Sequence, residues 1–231
     1  MNNLHEENPF EDEKISQEWI NSVENEKGLI RDKEIYPSLE KWVRNISQGI
    51  IVEIGSGQGI CSEKIQNSKL HYIGIEPSVF LTKRAQELYH SNEREFLIGS
   101  AYSLPLADNI ADGVFSVNVW FHLENLPEAS CEMSRILKPG SSFLLITANP
   151  NENSLWEKFF INYSKEGKVL DGKVIVPINP LSRNIIYQHS LDEIKCSLEY
   201  NGLTIEKIET LGRLEGKDIF ILIQGQKLSI R

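Results

Sequence analysis

Two acids stand where two apolar runs end. Glu53 is the penultimate residue of "GIIVEI" and is followed by glycine at every second position, Gly55, Gly57 and Gly59, while Glu76 closes "HYIGIE". Glycine at that density lets a backbone take positive φ and lets a ligand or a helix approach closely. A carboxylate beside such a loop repels a pyrophosphate and favours a cation; a second carboxylate at the end of the next strand can accept both hydroxyls of a ribose. A phosphate-gripping loop would need G-x-x-x-x-G-K-[ST], and no Lys-Ser or Lys-Thr follows Gly55. The dinucleotide spacing G-x-G-x-x-G fails as well, since counting from Gly55 ends on Ile60. A tight structural turn is the bland alternative for the glycines. The acids ask instead for a nucleoside without phosphates that carries positive charge, and S-adenosylmethionine is such a molecule.

Other residues could take part in chemistry at the same edge. His122, in "VWFHLEN", is a candidate base or acceptor contact, because its unperturbed pKa suits proton transfer; its alternative is to cap or pack under the next helix. His189, in "IIYQHSLDE", could face an acceptor, whereas His5, His71 and His90 are given no chemistry. Cys61 falls in the first turn of a helix expected after Gly59, where a thiolate is favoured; with no base in view, a packing role is the simpler reading. Arg31 and Tyr36, in "LIRDKEIYPSLEKW", and Trp19 could close over a ligand as a helical lid or simply pack. Trp120, next to His122, belongs with these lid or substrate candidates. Trp156, Phe159, Phe160 and Tyr163 repeat at helical spacing, which reads as core or cap packing; the alternative is the roof of an apolar acceptor pocket shared with residues 167–188. No metal-binding motif is present.

The elements that must position these groups alternate. Strands are expected at 49–54, 71–76, 95–99, 113–119 and 142–147, with helices after Gly59, at 78–90 and at 127–137. Ser78 is a plausible N-cap, and "KPGS" a turn before the fifth strand. Strand–helix alternation of this kind builds a mainly parallel, doubly wound α/β sheet, with ligands at the carboxyl ends of the strands. Beyond residue 150 the expectation is a helix near 153–164, an irregular stretch containing "DGK", a helix near 190–201, and a hairpin from "LTIEKIETL" and "DIFILIQG" that completes a seven-stranded sheet.

The net charge of −9 is concentrated in residues 1–40, where eleven acids face four bases. No basic stripe remains to follow a nucleic-acid backbone or an acidic membrane surface. Three dispersed cysteines suggest no disulfide framework, and no run is long enough to span a membrane, so a soluble, cytoplasmic protein is expected.

Over about 95 residues, and more loosely from about Trp19 to the final strand, the chain resembles the class I S-adenosylmethionine-dependent methyltransferases, more closely the small-molecule branch called methyltransferase type 11. The resemblance rests on "VEIGSGQG", "YIGIEPS", "IGSAYSLPL", "DGVFSVNVWFHL" and "EMSRILKPGS", in that order. It implies a Rossmann-like fold, S-adenosylmethionine as cofactor, and a helical lid at 1–45 before a catalytic domain at 46–231 with a substrate cap at about 150–190. It implies that the backbone at Gly55, Ser56 and Gly57 passes along the methionine part, near Glu53. Glu76 would hold the ribose, with Pro77, Ser78, Ala101 and Tyr102 about the adenine and the backbone at Asn118 and Val119 at the methionine end. Where the family commonly has Asp, this chain has Ser100, a weaker acceptor for the adenine amino group. The expected reaction is in-line methyl transfer to O, N or C of a small molecule. The rivals are a catalytically inert cofactor-binding scaffold and a nicotinamide-dependent oxidoreductase.

Overall fold

The computed structural model describes residues 8–25, 30–157, 168–179 and 182–229. Gly49–Ile54 (β1) is apolar on both faces except for Glu53, and its last four residues are buried, as suits a central parallel strand. It pairs in parallel with Leu70–Glu76 (β2) on one side and Ala111–Val117 (β4) on the other. Arg94–Ile98 (β3) extends the sheet beyond β2, and Leu137–Ala148 (β5) beyond β4. Lys168–Leu170 (β6), Lys173–Asn179 (β7) and Ser182–Tyr187 (β8) form a separate antiparallel sheet. The hairpin of Leu203–Leu214 (β9) and Lys217–Lys227 (β10) closes the main sheet in the order β3-β2-β1-β4-β5-β10-β9, with β10 antiparallel to both neighbours.

Because side chains alternate along a strand, the sheet has two cores. Ile51, Tyr72, Phe96 and Phe115 face one side, where Tyr36–Val43 (α2) lays down Tyr36, Leu39, Trp42 and Val43. Val52, Ile54, Ile73 and Val114 face the other, covered by Leu126–Ile136 (α4) and Leu191–Tyr200 (α5). Helix Val79–Tyr89 (α3) starts at Ser78, whose hydroxyl accepts the Leu81 amide at 3.2 Å, and α5 starts with a reciprocal Ser190–Glu193 capping box. At the edge remote from the acids, Asp112 accepts the Ile50 amide at 2.8 Å and pairs with Lys138 at 2.7 Å, which fixes β1, β4 and β5 in register.

Three expectations need correction. The helix after Gly59 is only a 3₁₀ turn, Ile60–Lys64: Ser62 folds its hydroxyl back onto the Gly59 carbonyl at 2.6 Å, and α2 fills the face a longer helix would cover. The stretch after residue 167 is a β-meander, not irregular; Asp171 and Gly172, with φ of 47° and 73°, make the tight turn that a hairpin's twist prefers. β5 begins at Leu137 and takes in "KPG" as a bulge: Ala111 pairs with Leu137 and Gly113 with Ser142, with Gly140 at φ 79°, so the expected turn lies inside the strand rather than before it. The helix near 153–164 is described only over 153–157; Phe159, Phe160 and Tyr163 lie outside the described residues.

Candidate active site

Sheet order sets the ends of β3, β2, β1 and β4 side by side, so the loops carrying Ser100, Glu76, Gly55 and Asn118 converge. The glycine loop is stitched to β2. The amides of Gly55 and Ser56 both reach the Ile75 carbonyl, at 2.8 and 3.0 Å, and the Gly57 amide reaches Glu76 Oε2 at 3.0 Å. Glu76 Oε1 accepts the Ser78 amide at 3.0 Å. Gly55 presses on the β4 loop so closely that a Cβ there would lie 2.3 Å from Val119 Cγ2. Gly57, at φ 53°, has nothing within 4 Å of that position, so the loop's open side is at Gly57. Asn118 is held at φ 60° by a 2.8 Å bond from its amide to the Ile146 carbonyl, and its Oδ1 is buried without a hydrogen-bond partner, as is Ser56 Oγ.

The electrostatics of this corner are those of acceptors lacking a cation. Burial pushes Glu53 up to about 8 and Glu76 up to about 7, against the opposing pull of their hydrogen bonds. Glu53 receives the Tyr72 hydroxyl and a bond from the Cys61 thiol. Cys61 is no thiolate: enclosure and the neighbouring Glu53 push its pKa well up, which leaves it a half-buried donor, in keeping with a packing role. Two buried carboxylates with orphaned Asn118 and Ser56 oxygens, beside a loop open at Gly57, fit a ligand that brings ammonium, sulfonium and hydroxyl groups.

The N-terminal segment lies over this corner. The Phe10 carbonyl accepts from Ser16 Oγ at 2.6 Å and from Ser78 Oγ, and Gln58 Nε2 reaches the Ile20 carbonyl of Glu13–Asn25 (α1) at 3.4 Å. Trp19 is 44% exposed and meets the Phe10 ring at 5.4 Å. Arg31 opens a π-helical turn, Arg31–Ile35, a rare geometry that is frequent at functional sites. It bonds the Val23 carbonyl and lies over the Tyr36 ring, whose other neighbours include Lys64. Tyr36 is in turn close enough to Cys61 and Glu53 for both to raise its pKa, so of the lid candidates Tyr36 approaches Glu53, with Arg31 set against its ring.

On the acceptor side the candidates divide. The ring of His122 donates to the Ile185 carbonyl on β8, and burial holds it down at about 4. A base that weak has little driving force to take a proton at neutral pH. His189 Nε2 lies 2.6 Å from the Leu123 carbonyl. Trp120 is 1% exposed within the core beside α4, so it lines neither lid nor substrate space; its neighbour Phe121, packed on Val174 and Ile186, faces the meander instead. Trp156 stacks near Phe121, with ring centroids 6.1 Å apart, and bonds the Ile219 carbonyl.

The loop after β3 is held by a residue that sequence reasoning passed over. Arg135 of α4 donates to the Leu104 and Leu106 carbonyls at 3.0 and 2.7 Å, to Asp108 at 2.8 Å and to Glu132 at 2.7 Å, while Glu132 also accepts the Leu104 amide. Ser100 Oγ accepts the Tyr102 amide at 3.3 Å, Ala101 is buried, and the Tyr102 hydroxyl accepts the Asn125 amide at 3.3 Å. Pro77 is exposed and Ser78 buried at the same edge.

A methyltransferase-domain family model matches residues 52–145. The O-methyltransferase rstn1 of Aspergillus nomiae is 28% identical over 123 residues, covering 48% of this chain and 55% of that protein, so the chain spans about half the length of this curated relative. A methyltransferase solved in complex with the Haloferax volcanii Trm112 methyltransferase activator superposes with a TM-score of 0.69 at 14% identity, over 96% of this chain and 99% of that one. A SAM-dependent methyltransferase of Methanosarcina mazei does so with 0.64 at 20% identity, over 81% and 97%. Likenesses at such identities show the fold alone; the sequence match over residues 52–145 is to a methyltransferase-domain family model, on a fold shared with solved S-adenosylmethionine-dependent methyltransferases.

Proposed function

We propose that the protein transfers the methyl group of S-adenosylmethionine to a small-molecule acceptor. The observation that carries this reading is Glu76: a buried carboxylate at the end of β2 that already fixes the glycine loop through Gly57 and sits beside the loop's open side. The cofactor supplies a methyl on a sulfonium, whose sulfur leaves neutral and needs no proton. The chain's residues have to bind, align and keep water out. Glu76 would take the ribose hydroxyls, and Glu53 with Asn118 Oδ1 the ammonium; Arg31 would be the lid cation that meets the carboxylate. Pro77, Ser78, Ser100, Ala101 and Tyr102 would border the adenine, and the backbone at Ser56 and Val119 the methionine end. Alignment of this kind is worth about 7–11 kcal/mol, so the weak basicity of His122 is no obstacle for an acceptor that is itself a nucleophile.

Residues 1–45 serve as the lid and 46–231 as the catalytic domain in this reading, with the cap at 150–190 over the acceptor. The aromatic pair Phe121 and Trp156 beside the meander supports a partly apolar acceptor. Calorimetric titration with S-adenosylhomocysteine, on the unmodified protein and on Glu76→Ala, is the test. Micromolar-range binding that the variant loses supports the cofactor site, and absence of binding by the unmodified protein overturns it. Methylation of macromolecules only, across a broad acceptor panel, would overturn the acceptor class.

An additional protein partner is favoured by one feature: β3 is an edge strand, and its Ile98 is 57% exposed, in a chain whose Haloferax volcanii neighbour was solved with an activator. Full turnover by the purified chain alone would remove the need for one.

A further inference from the structure

We propose that Tyr72 is a positioning residue for the transfer reaction: from inside the sheet its hydroxyl holds the Glu53 carboxylate in place for the cationic end of the cofactor. The inference rests on the functional reading above. Glu53 pairs across the ladder with Gly74, and the missing side chain at 74 is what opens the space between them. A Cβ on Gly74 would lie 2.8 Å from the Tyr72 hydroxyl, 2.8 Å from Ser56 Oγ and 2.8 Å from the Phe96 ring. Through that slot the Tyr72 hydroxyl, two residues back on the same face of β2, donates to Glu53 Oε2. The phenol cannot swing away, because its ring is fully buried between Phe96 at 5.5 Å and Phe115 at 6.4 Å. An apolar residue would fill that core position equally well; the hydroxyl is accounted for by Glu53.

The kind of partner matters. Among the described residues, those facing Glu53 are Tyr72 and Glu76 from β2, Cys61 from the 3₁₀ turn and Tyr36 from α2, and every one is neutral or anionic. The cations Arg31 and Lys64 are set against the Tyr36 ring, and Arg94 acts on Tyr72. A Lys or Arg in direct contact would have neutralised Glu53 and left nothing for a ligand's ammonium. A phenol orients the carboxylate and eases its ionisation while leaving the charge to be answered by the cofactor.

Tyr72→Phe deletes only the hydroxyl. Titrate the unmodified protein, Tyr72→Phe, Glu53→Gln and the double variant with S-adenosylmethionine and with S-adenosylhomocysteine from pH 6 to 9, and record thermal unfolding of each. The expected result is about tenfold weaker binding by Tyr72→Phe at pH 7, a binding profile displaced to higher pH by about one unit, and no further loss when the change is made in Glu53→Gln. Unchanged affinity and profile, a pH-independent loss, or full additivity in the double variant would each overturn the assignment. Should the unmodified protein bind neither compound, the functional reading itself fails and takes this inference with it; binding by the unmodified protein with an unmoved Tyr72→Phe profile fails the inference alone.

Discussion

His122 and His189 clasp one another's segments. The first, beyond β4, donates to the Ile185 carbonyl of β8; the second, just past β8, sets Nε2 2.6 Å from the Leu123 carbonyl, one residue after His122. Lys173 of β7 adds an ion pair to Glu124 at 3.0 Å. The meander is thereby tied to the β4 loop at three points, which makes the histidines fasteners of the proposed cap.

Removing one fastener should loosen the cap and spare the cofactor site. In His189→Ala, amide hydrogen exchange across 168–187 is expected to speed up, turnover to fall at least about tenfold through misalignment, and S-adenosylhomocysteine affinity to stay within about threefold. Unchanged exchange in the meander would refute the clasp.

The glycines make a sharper pair. Gly55→Ala forces a Cβ into Val119 at a positive φ, so it should destabilise the fold by about 2–4 kcal/mol. Gly57→Ala meets no atom, so its cost should be only the conformational strain, about 1–2 kcal/mol, while cofactor affinity drops at least about tenfold because the methyl occupies the open side. Thermal unfolding and calorimetry on the two variants separate these effects. Equal losses of binding at equal stability would show that Gly57 faces no ligand.

What was legible in the chain was whatever local rules decide. The five parallel strands announced themselves as apolar runs, and the cap at Ser78 by residue type. The pattern put Glu53 and Glu76 at strand ends, the resemblance added Asn118, and the sheet order brings the three together. The meander was missed although Asp171-Gly172 is a strong hairpin signal, because its flanking strands hold prolines and irregular alternation. The helix after Gly59 was over-read because α2, distant in sequence, takes its packing surface. The π turn at Arg31, the burial of Trp120 and the reach of Arg135 are tertiary outcomes that no periodicity encodes.

The buried acids set a pH dependence. Each carboxylate is raised from about 4.5, to about 8 for Glu53 and about 7 for Glu76, so the folded state keeps protons that the unfolded chain has released. Their stabilising contribution is complete below about pH 4.5 and is lost as pH climbs through 7 and 8. Without ligand, the unfolding temperature should decline by several degrees between pH 6 and 8.5. Glu53→Gln should decline less over the same interval; an identical slope would mean that Glu53 is already ionised in the folded protein.

Arg135 is the prediction furthest from the glycine loop. Its fork holds two carbonyls of the loop after Ser100 together with Glu132 and Asp108, and a lysine could not reproduce that geometry from one nitrogen. Arg135→Ala should cost about 2 kcal/mol of stability, since hydrogen bonds to charged groups are each worth about 1.5–3 kcal/mol and this network is partly exposed. Because Ser100 offers only a hydroxyl, the proposed adenine contact would depend on Ala101 and Tyr102 being held in place by this brace. Affinity for S-adenosylhomocysteine should therefore fall about five- to tenfold in Arg135→Ala and remain low in Arg135→Lys, measured by calorimetry at a temperature where both variants are folded. Affinity for adenosine should fall by the same factor, because the brace acts on the adenine end; an unchanged adenosine affinity would place the defect elsewhere.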